Sequence, residues 1–131
     1  MSLESNKSLI RSWIETGLNT GDWDLIERCF LPTYVFPGIR GLTALRTSLT
    51  KMRTGFPDLR VQIDDLLAED QRVVAQLTYQ GTHLGVFFQQ PASGRFLAWS
   101  GVAIYRIDHG KIAEEWAIWD QTFPMKLSGQ I

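Results

Sequence analysis

Asp120 and His83 are the two side chains in this sequence best suited to moving a proton. Asp120 shares one side of a predicted strand with Ile112, Trp116 and Ile118. A carboxyl group among such apolar neighbours is poorly solvated, which raises its pKa toward the range useful for a general base or acid. The alternative is that Asp120 ends the strand and caps the following turn by accepting a backbone hydrogen bond.

His83 lies on another predicted strand, on the side that carries Val73, Leu77 and Tyr79. An imidazole in that position could donate to an enolate oxygen or hold Asp120 in place. Such a donor matters, because a carboxylate removes a proton next to a carbonyl only if the enolate is stabilised. The alternative is a core histidine with satisfied nitrogens, or one exposed where the strand ends.

Aromatic side chains are numerous, with five Trp, seven Phe and three Tyr in 131 residues. They either fill a core or line a cavity for a flat organic ligand. The side chains predicted to contact a ligand are Trp13, Phe36, Tyr79, Trp99, Tyr105 and Trp116. The phenols of Tyr79 and Tyr105 could also donate to a ligand carbonyl, although buried tyrosines usually find a backbone partner.

The neighbouring acids Glu114 and Glu115 are predicted to have no shared role. Adjacent strand residues point to opposite faces, so the pair cannot act on one substrate atom. A solvated strand start near Lys111 explains them instead. The sequence has no metal-ligand spacing, phosphate-binding glycine loop or Ser–His–Asp signature.

The composition predicts one globular domain over residues 1–131. Thirteen basic and 14 acidic side chains give a net charge of −1, which argues against nucleic-acid binding. No apolar run approaches the ~18–20 residues that span a bilayer, and the polar N-terminus lacks a signal-peptide core. The single cysteine, Cys29, agrees with a reducing compartment. We therefore expect a cytoplasmic protein with no membrane or nucleic-acid partner.

Hydrophobic periodicity places the helices before the strands. Three segments have helical periodicity, namely residues 5–19, 22–32 and 41–55. Four later segments have the period of two that marks strands, namely residues 59–64, 72–84, 95–107 and 111–120. This order predicts an α+β fold whose helices cover one face of an antiparallel sheet. Because long strands twist, the sheet should curl around the helices and leave a pocket between them.

Several segments, in their order and spacing, resemble a known family. They are residues 56–61 (FPDLRV), 64–69 (DDLLAE), 72–75 (RVVA), 81–85 (GTHLG), 100–107 (SGVAIYRI), 110–116 (GKIAEEW) and 119–121 (WDQ). This set resembles the SnoaL-like polyketide cyclases, also called ester-cyclase-like proteins, of the NTF2-like superfamily. The resemblance runs from the first helix to about residue 128, and its ordered set is more specific than any single segment.

The resemblance implies a cone-shaped α+β barrel, with three N-terminal helices packed on a strongly curved antiparallel or mixed sheet. It also implies a homodimer formed through the sheet. Family members close a polyketide ring by intramolecular aldol condensation, using an acidic side chain and no metal or organic cofactor. The acid corresponds to Asp120, and the histidine of the Gly-x-His-x-Gly segment corresponds to His83. The implied partner is a small apolar ligand that bears a carbonyl group.

Three functions are compatible with these residues. The first is a cyclase or isomerase that uses acid/base catalysis in an aromatic-lined pocket. The second is a non-catalytic ligand-binding or dimerisation module, favoured by Ala103 at the position of the cyclases' second histidine. The third is an epoxide hydrolase, which needs a second carboxylate and a pocket-facing arginine, for which Arg95 and Arg106 are the strand candidates.

Overall fold

The helices lie mainly in the first half of the chain in the computed structural model, which describes residues 2–130. α1 (Leu3–Ser12) continues directly as a π-helix (Trp13–Leu18). A 3₁₀ turn (Trp23–Leu25) then leads into α2 (Ile26–Cys29). The remaining helices are α3 (Leu42–Gly55) and α4 (Phe123–Ser128). The three N-terminal helices follow the predicted segments, whereas α4 is additional. Its signals are Pro124 in the first turn and Gly129 as a left-handed cap, but six residues are too few for periodicity to reveal a helix.

Six strands form one mixed sheet. They are β1 (Phe30–Phe36), β2 (Ile39–Arg40), β3 (Arg60–Glu69), β4 (Arg72–Thr82), β5 (Phe96–Asp108) and β6 (Lys111–Trp119). Their order across the sheet is β2-β1-β6-β5-β4-β3, and every neighbouring pair is antiparallel except the parallel pair β1–β6. The predicted α+β fold with a mixed sheet is therefore confirmed.

β1 occupies a segment for which the sequence predicted the end of a helix at Pro32, followed by a short irregular or extended piece over residues 34–38. Pro32 lies inside this strand instead of stopping α2. Proline has no N–H to donate, but the register between β1 and β6 is irregular between Phe30 and Val35, so no regular ladder bond is lost there. β1 can thus bring its side chains to the edge of β6.

A bulge at Ala113 reverses the sides that the β6 side chains occupy. Arg106 of β5 pairs with Glu114, while the next residue of β5 pairs with Ile112, which leaves Ala113 as the extra residue. The concave face therefore carries Ile112 and then Glu115, instead of continuing with Trp116. An extra residue in one strand has this effect because side chains alternate with a period of two.

The helices pack on the concave face, where the core lies. Trp13 of the π-helix is 3% exposed, and its ring crosses so close to Gly17 that a Cβ on that residue would lie 2.5 Å from it. Glycine at this position therefore allows the indole to turn toward the sheet. Among residues 2–130, no helix has both the length and the apolar character needed to cross a membrane.

Candidate active site

A cavity of about 1130 Å³ lies between the helices and the concave face of the sheet. Its wall is mainly apolar and aromatic, with side chains contributed by the π-helix, β1, α3, the sheet and the loop after β4. Representative wall residues are Trp13, Phe36, Leu49, Phe88, Tyr79 and Trp119. The volume is at or above the upper end of the usual range for small-molecule sites, so an organic ligand of several rings could fit.

The register of the sheet explains the shape of the cavity floor. Ala75, Ala103 and Ala117 lie side by side on β4, β5 and β6, and form a row of small side chains. In the neighbouring cross-strand row, Tyr105 of β5 pairs with Glu115 of β6. Of these three alanines only Ala117 borders the cavity, while Ala75 and Ala103 are fully buried. Ala117 therefore leaves space beside Glu115, its neighbour on the same face of β6.

The row on the other side of the alanines contains Gly101, which pairs with Trp119. A Cβ on Gly101 would lie 2.9 Å from the Trp119 ring and 3.0 Å from the Tyr79 ring. The missing side chain thus lets these two aromatic rings lie across the sheet, where their centroids are 5.2 Å apart. They form an aromatic wall opposite Tyr105 and Glu115.

Glu115 is the acid of this cavity. The hydroxyl of Tyr34 donates a hydrogen bond of 2.9 Å to its Oε1 atom, and the accessible part of its side chain borders the cavity. Burial raises the pKa of Glu115 to about 7, while the hydrogen bond from Tyr34 acts in the opposite direction. The carboxyl group can therefore exchange a proton near neutral pH.

Three tyrosines border the cavity that contains this acid. Tyr34, Tyr79 and Tyr105 are each 6% exposed or less, and all three border the cavity. Burial raises the pKa of each phenol, and the charge of Glu115 raises all three further. At neutral pH they are therefore uncharged groups, each with one proton to donate.

Asp120 does not have the environment that the sequence predicted for it. Its Oδ1 accepts hydrogen bonds from the backbone N–H and the hydroxyl of Thr122, both at 2.9 Å. The backbone hydrogen bond from Thr122 is the main cause that lowers the pKa of Asp120, so the expected rise was wrong. The carboxylate caps the turn before α4 and is not part of the cavity wall. This arrangement is the alternative considered from the sequence.

His83 is fully buried and also lies outside the cavity wall. Its Nδ1 is 3.0 Å from the Ser93 hydroxyl, and its ring stacks on Phe56 with centroids 5.5 Å apart. Its Nε2 has no hydrogen-bond partner among residues 2–130. The structure therefore does not bring His83 and Asp120 together around a ligand.

Four of the six aromatic side chains predicted to contact a ligand border the cavity, namely Trp13, Phe36, Tyr79 and Tyr105. Trp99 lies behind the wall, 2% exposed and 4.4 Å from the Phe123 ring centroid. The prediction for Trp116 was wrong, because the bulge at Ala113 turns this side chain to the outer face, where it is 47% exposed.

Glu115 was missed because strict alternation assigned it to a solvated strand start. The signal that could have revealed its position is the apolar doublet Ile112-Ala113, since two consecutive buried residues in a strand indicate a bulge. Its partner Tyr34 was missed because the segment around it was predicted to be irregular or extended, without a place in the sheet beside β6.

The arginines proposed for an epoxide hydrolase serve other contacts. Arg95 donates to the carbonyl oxygens of Lys126 and Leu127. Arg106 forms an ion pair with Glu114 at 3.6 Å. Within residues 2–130, the cavity wall has one carboxylate and no arginine, and no group of three His, Cys, Asp or Glu side chains could hold a metal ion.

The fold and this cavity define a cone-shaped α+β barrel of the NTF2-like class, with an acid inside an aromatic chamber. Residues 8–126 match the family model described as SnoaL-like polyketide cyclase, and the chain therefore belongs to that family. The resemblance stated from the sequence is thus confirmed, and membership supports a cyclase- or isomerase-type function in general terms.

Solved structures give the same fold. TsrD from Streptomyces laurentii is 26% identical, with a TM-score of 0.90 over 100% of this chain and 99% of that chain. A SnoaL-like polyketide cyclase from Agrobacterium tumefaciens is 23% identical, with a TM-score of 0.83 over 96% of this chain and 98% of that chain. Among curated protein sequences, none matches the chain. These similarities concern the fold.

Proposed function

We propose that this protein is a cyclase or isomerase that acts on a small apolar carbonyl compound, with Glu115 as the general acid and base. One observation carries the proposal: a single carboxyl group lies in an aromatic cavity, and burial raises its pKa to about 7. Acid/base catalysis is most effective when the pKa of the catalytic group lies near the working pH. The resemblance assigns this role to Asp120, but the contacts of the two carboxyl groups favour Glu115.

The reaction needs no redox partner. The Glu115 carboxylate takes a proton from the carbon next to a carbonyl, and the electron pair of the broken C–H bond moves onto the carbonyl oxygen. In a cyclisation, the enolate carbon forms a bond to a second carbonyl carbon of the same molecule, and the resulting alkoxide takes the proton back from Glu115. In an isomerisation, the proton returns to a different carbon.

The surroundings of Glu115 support this sequence of steps. The hydrogen bond from Tyr34 fixes the direction of the carboxyl group, and a fixed base reacts faster than a mobile one. The apolar wall keeps water away from the enolate.

Proton exchange into apolar aryl ketones tests the proposal without the natural substrate. We expect the protein to accelerate exchange of the protons next to the carbonyl of α-tetralone in heavy water, followed by NMR. The carboxylate is the active base, so the rate should rise with pH up to about pH 7 and then level off. Ketone binding without accelerated exchange would support the alternative, a non-catalytic ligand-binding module.

We also propose that two copies associate through the outer face of the sheet. Cross-strand pairs Val102–Ile118 and Ile104–Trp116 form an apolar patch there. Trp116 and Ile118 are each 47% exposed and Val102 is 37% exposed. A contiguous patch of this kind on a regular sheet face suits a twofold contact with an identical face.

Placing a charged side chain in this apolar patch tests the association. Trp116→Lys is expected to halve the solution mass measured by light scattering at micromolar concentration, because two lysines would face each other across the twofold contact. Met125→Lys on α4 adds the same charge at a residue that is 40% exposed and outside the patch, so it should keep the mass of the unaltered protein. An unaltered protein that is already monomeric would contradict the proposal.

The cytoplasmic location stays a prediction.

A further inference from the structure

Tyr105 places a hydroxyl group without a protein partner beside the proposed acid. Tyr105 on β5 pairs directly with Glu115 on β6, and both side chains face the cavity. Cross-strand partners have Cβ atoms only ~4.5–5.5 Å apart, so one small ligand group can reach both. Tyr105 is 2% exposed, and no residue of the described chain, 2–130, accepts or donates a hydrogen bond at its hydroxyl.

The other two phenols of the cavity are differently engaged. Tyr34 donates its proton to Glu115. Tyr79 pairs with Trp99, three cross-strand rows away from the pair formed by Tyr105 and Glu115. Tyr105 is the phenol that both lies directly beside Glu115 and keeps its proton available, and burial together with the charge of Glu115 raises the pKa of this phenol, which keeps it protonated. Because buried polar groups are normally hydrogen-bonded, a free donor that faces a cavity points to an acceptor on the ligand.

We infer that Tyr105 is a second catalytic residue, whose hydroxyl donates a hydrogen bond to the substrate carbonyl oxygen while Glu115 exchanges a proton with the adjacent carbon. This inference rests on the proposed function. As the C–H bond breaks, negative charge develops on the oxygen, and the hydrogen bond from Tyr105 strengthens. The phenol keeps its own proton throughout, so Glu115 is the group that takes up the proton and the group that delivers one at the end of the reaction.

This placement of the two groups defines the substrate class. The end of the substrate that reacts must be a neutral ketone with an adjacent C–H bond, since an anionic group there would face the Glu115 carboxylate. The small side chain of Ala117, which borders the cavity, leaves space next to that end, which suits a ring fused or joined directly to the ketone. We therefore expect a cyclic or aryl ketone, or its enol form, with its oxygen directed at Tyr105.

Binding of p-nitrophenol tests the donor role, because its phenolate imitates an enolate and absorbs visible light that the neutral phenol does not. Below about pH 7 Glu115 carries a proton, as it does once the enolate has formed, and under these conditions the unaltered protein should bind the phenolate with its charged oxygen at Tyr105. Tyr105→Phe should weaken phenolate binding about 10- to 100-fold, as expected for losing a hydrogen bond to a charged group. Near-UV circular dichroism shows whether the variant keeps the packing of its aromatic core.

Two further variants make the result specific. Tyr79→Phe removes a phenol of the same cavity that lies three cross-strand rows away from Glu115, so its effect should be clearly smaller than that of Tyr105→Phe. In a Glu115→Gln background, phenolate binding should still depend on Tyr105, which separates this inference from the role proposed for Glu115. Equal phenolate affinity with Tyr and Phe at position 105 would overturn the inference, and so would a failure of the unaltered protein to bind the phenolate.

A measurement on the unaltered protein provides an independent check. A hydrogen bond from Tyr105 should lower the carbonyl stretching frequency of bound α-tetralone below its value in an apolar solvent. An unchanged frequency in the bound ketone would contradict the donor role without any need for a variant.

Discussion

Glu115→Gln is expected to slow ketone proton exchange about 10²- to 10⁴-fold, the usual contribution of a positioned general acid or base. Glutamine has nearly the same shape and can still accept the hydrogen bond from Tyr34 through its amide oxygen. It cannot take up a proton near neutral pH, so binding should persist while exchange is lost. The rise in rate toward pH 7 should disappear as well. NMR exchange rates of α-tetralone between pH 5 and 9 measure both effects.

Asp120→Asn is the matched comparison, because it makes the same chemical change in the acid that the resemblance implies. The Asp120 carboxylate accepts two hydrogen bonds from Thr122 and lies outside the cavity wall, so its loss of charge should leave most of the exchange rate intact. An exchange rate that collapses in Asp120→Asn and survives in Glu115→Gln would return the catalytic role to Asp120.

Glu115 is also expected to make the folded protein less stable as the pH rises. Its pKa is about 7 in the folded protein and lies near the ordinary value of 4.5 when the chain is unfolded. Between these values the folded state binds more protons than the unfolded state, so the free energy of unfolding falls with pH. The fall is at most about 3 kcal/mol between pH 5 and 8, since each pKa unit corresponds to about 1.4 kcal/mol. Above about pH 7 this group causes no further loss.

Urea unfolding at pH 5 and pH 8 measures this effect. The unaltered protein and Glu115→Gln share every other titrating group, so the difference between their pH dependences isolates Glu115. We expect the Gln variant to be the more stable of the two at pH 8. Identical pH dependences would show that the carboxyl group is hydrated in the cavity and has an ordinary pKa.

The architecture was predictable to the extent that it depends on regular periodicity. The stripes of α1 and α3 and the alternation in β4 and β5 specify helices on one face of a curved sheet, and the ordered segments identified the family. β1 was not predictable, because Pro32 is a signal that normally ends an element. Its place in the sheet depends on a parallel contact with β6, which is distant in sequence.

The candidate site was predictable only in part. The cavity and most of its aromatic residues follow from composition and alternation. The acid does not, because the single extra residue at Ala113 exchanges the two faces of β6 and brings Glu115 inside in place of Trp116. The contacts of Asp120 likewise depend on the local turn, because Thr122, two residues later, supplies both of the hydrogen-bond donors to its carboxylate.

The size of the substrate and the chemistry of the reaction depend on different residues of the cavity. Ala117 borders the cavity, and it does not touch the proton that is moved. Exchanging the Ala117 methyl group for a larger side chain would reduce the cavity and leave Glu115 and Tyr105 in place. Proteins with this barrel could therefore come to accept smaller or larger ring systems through single substitutions, without a change in the reaction that they catalyse.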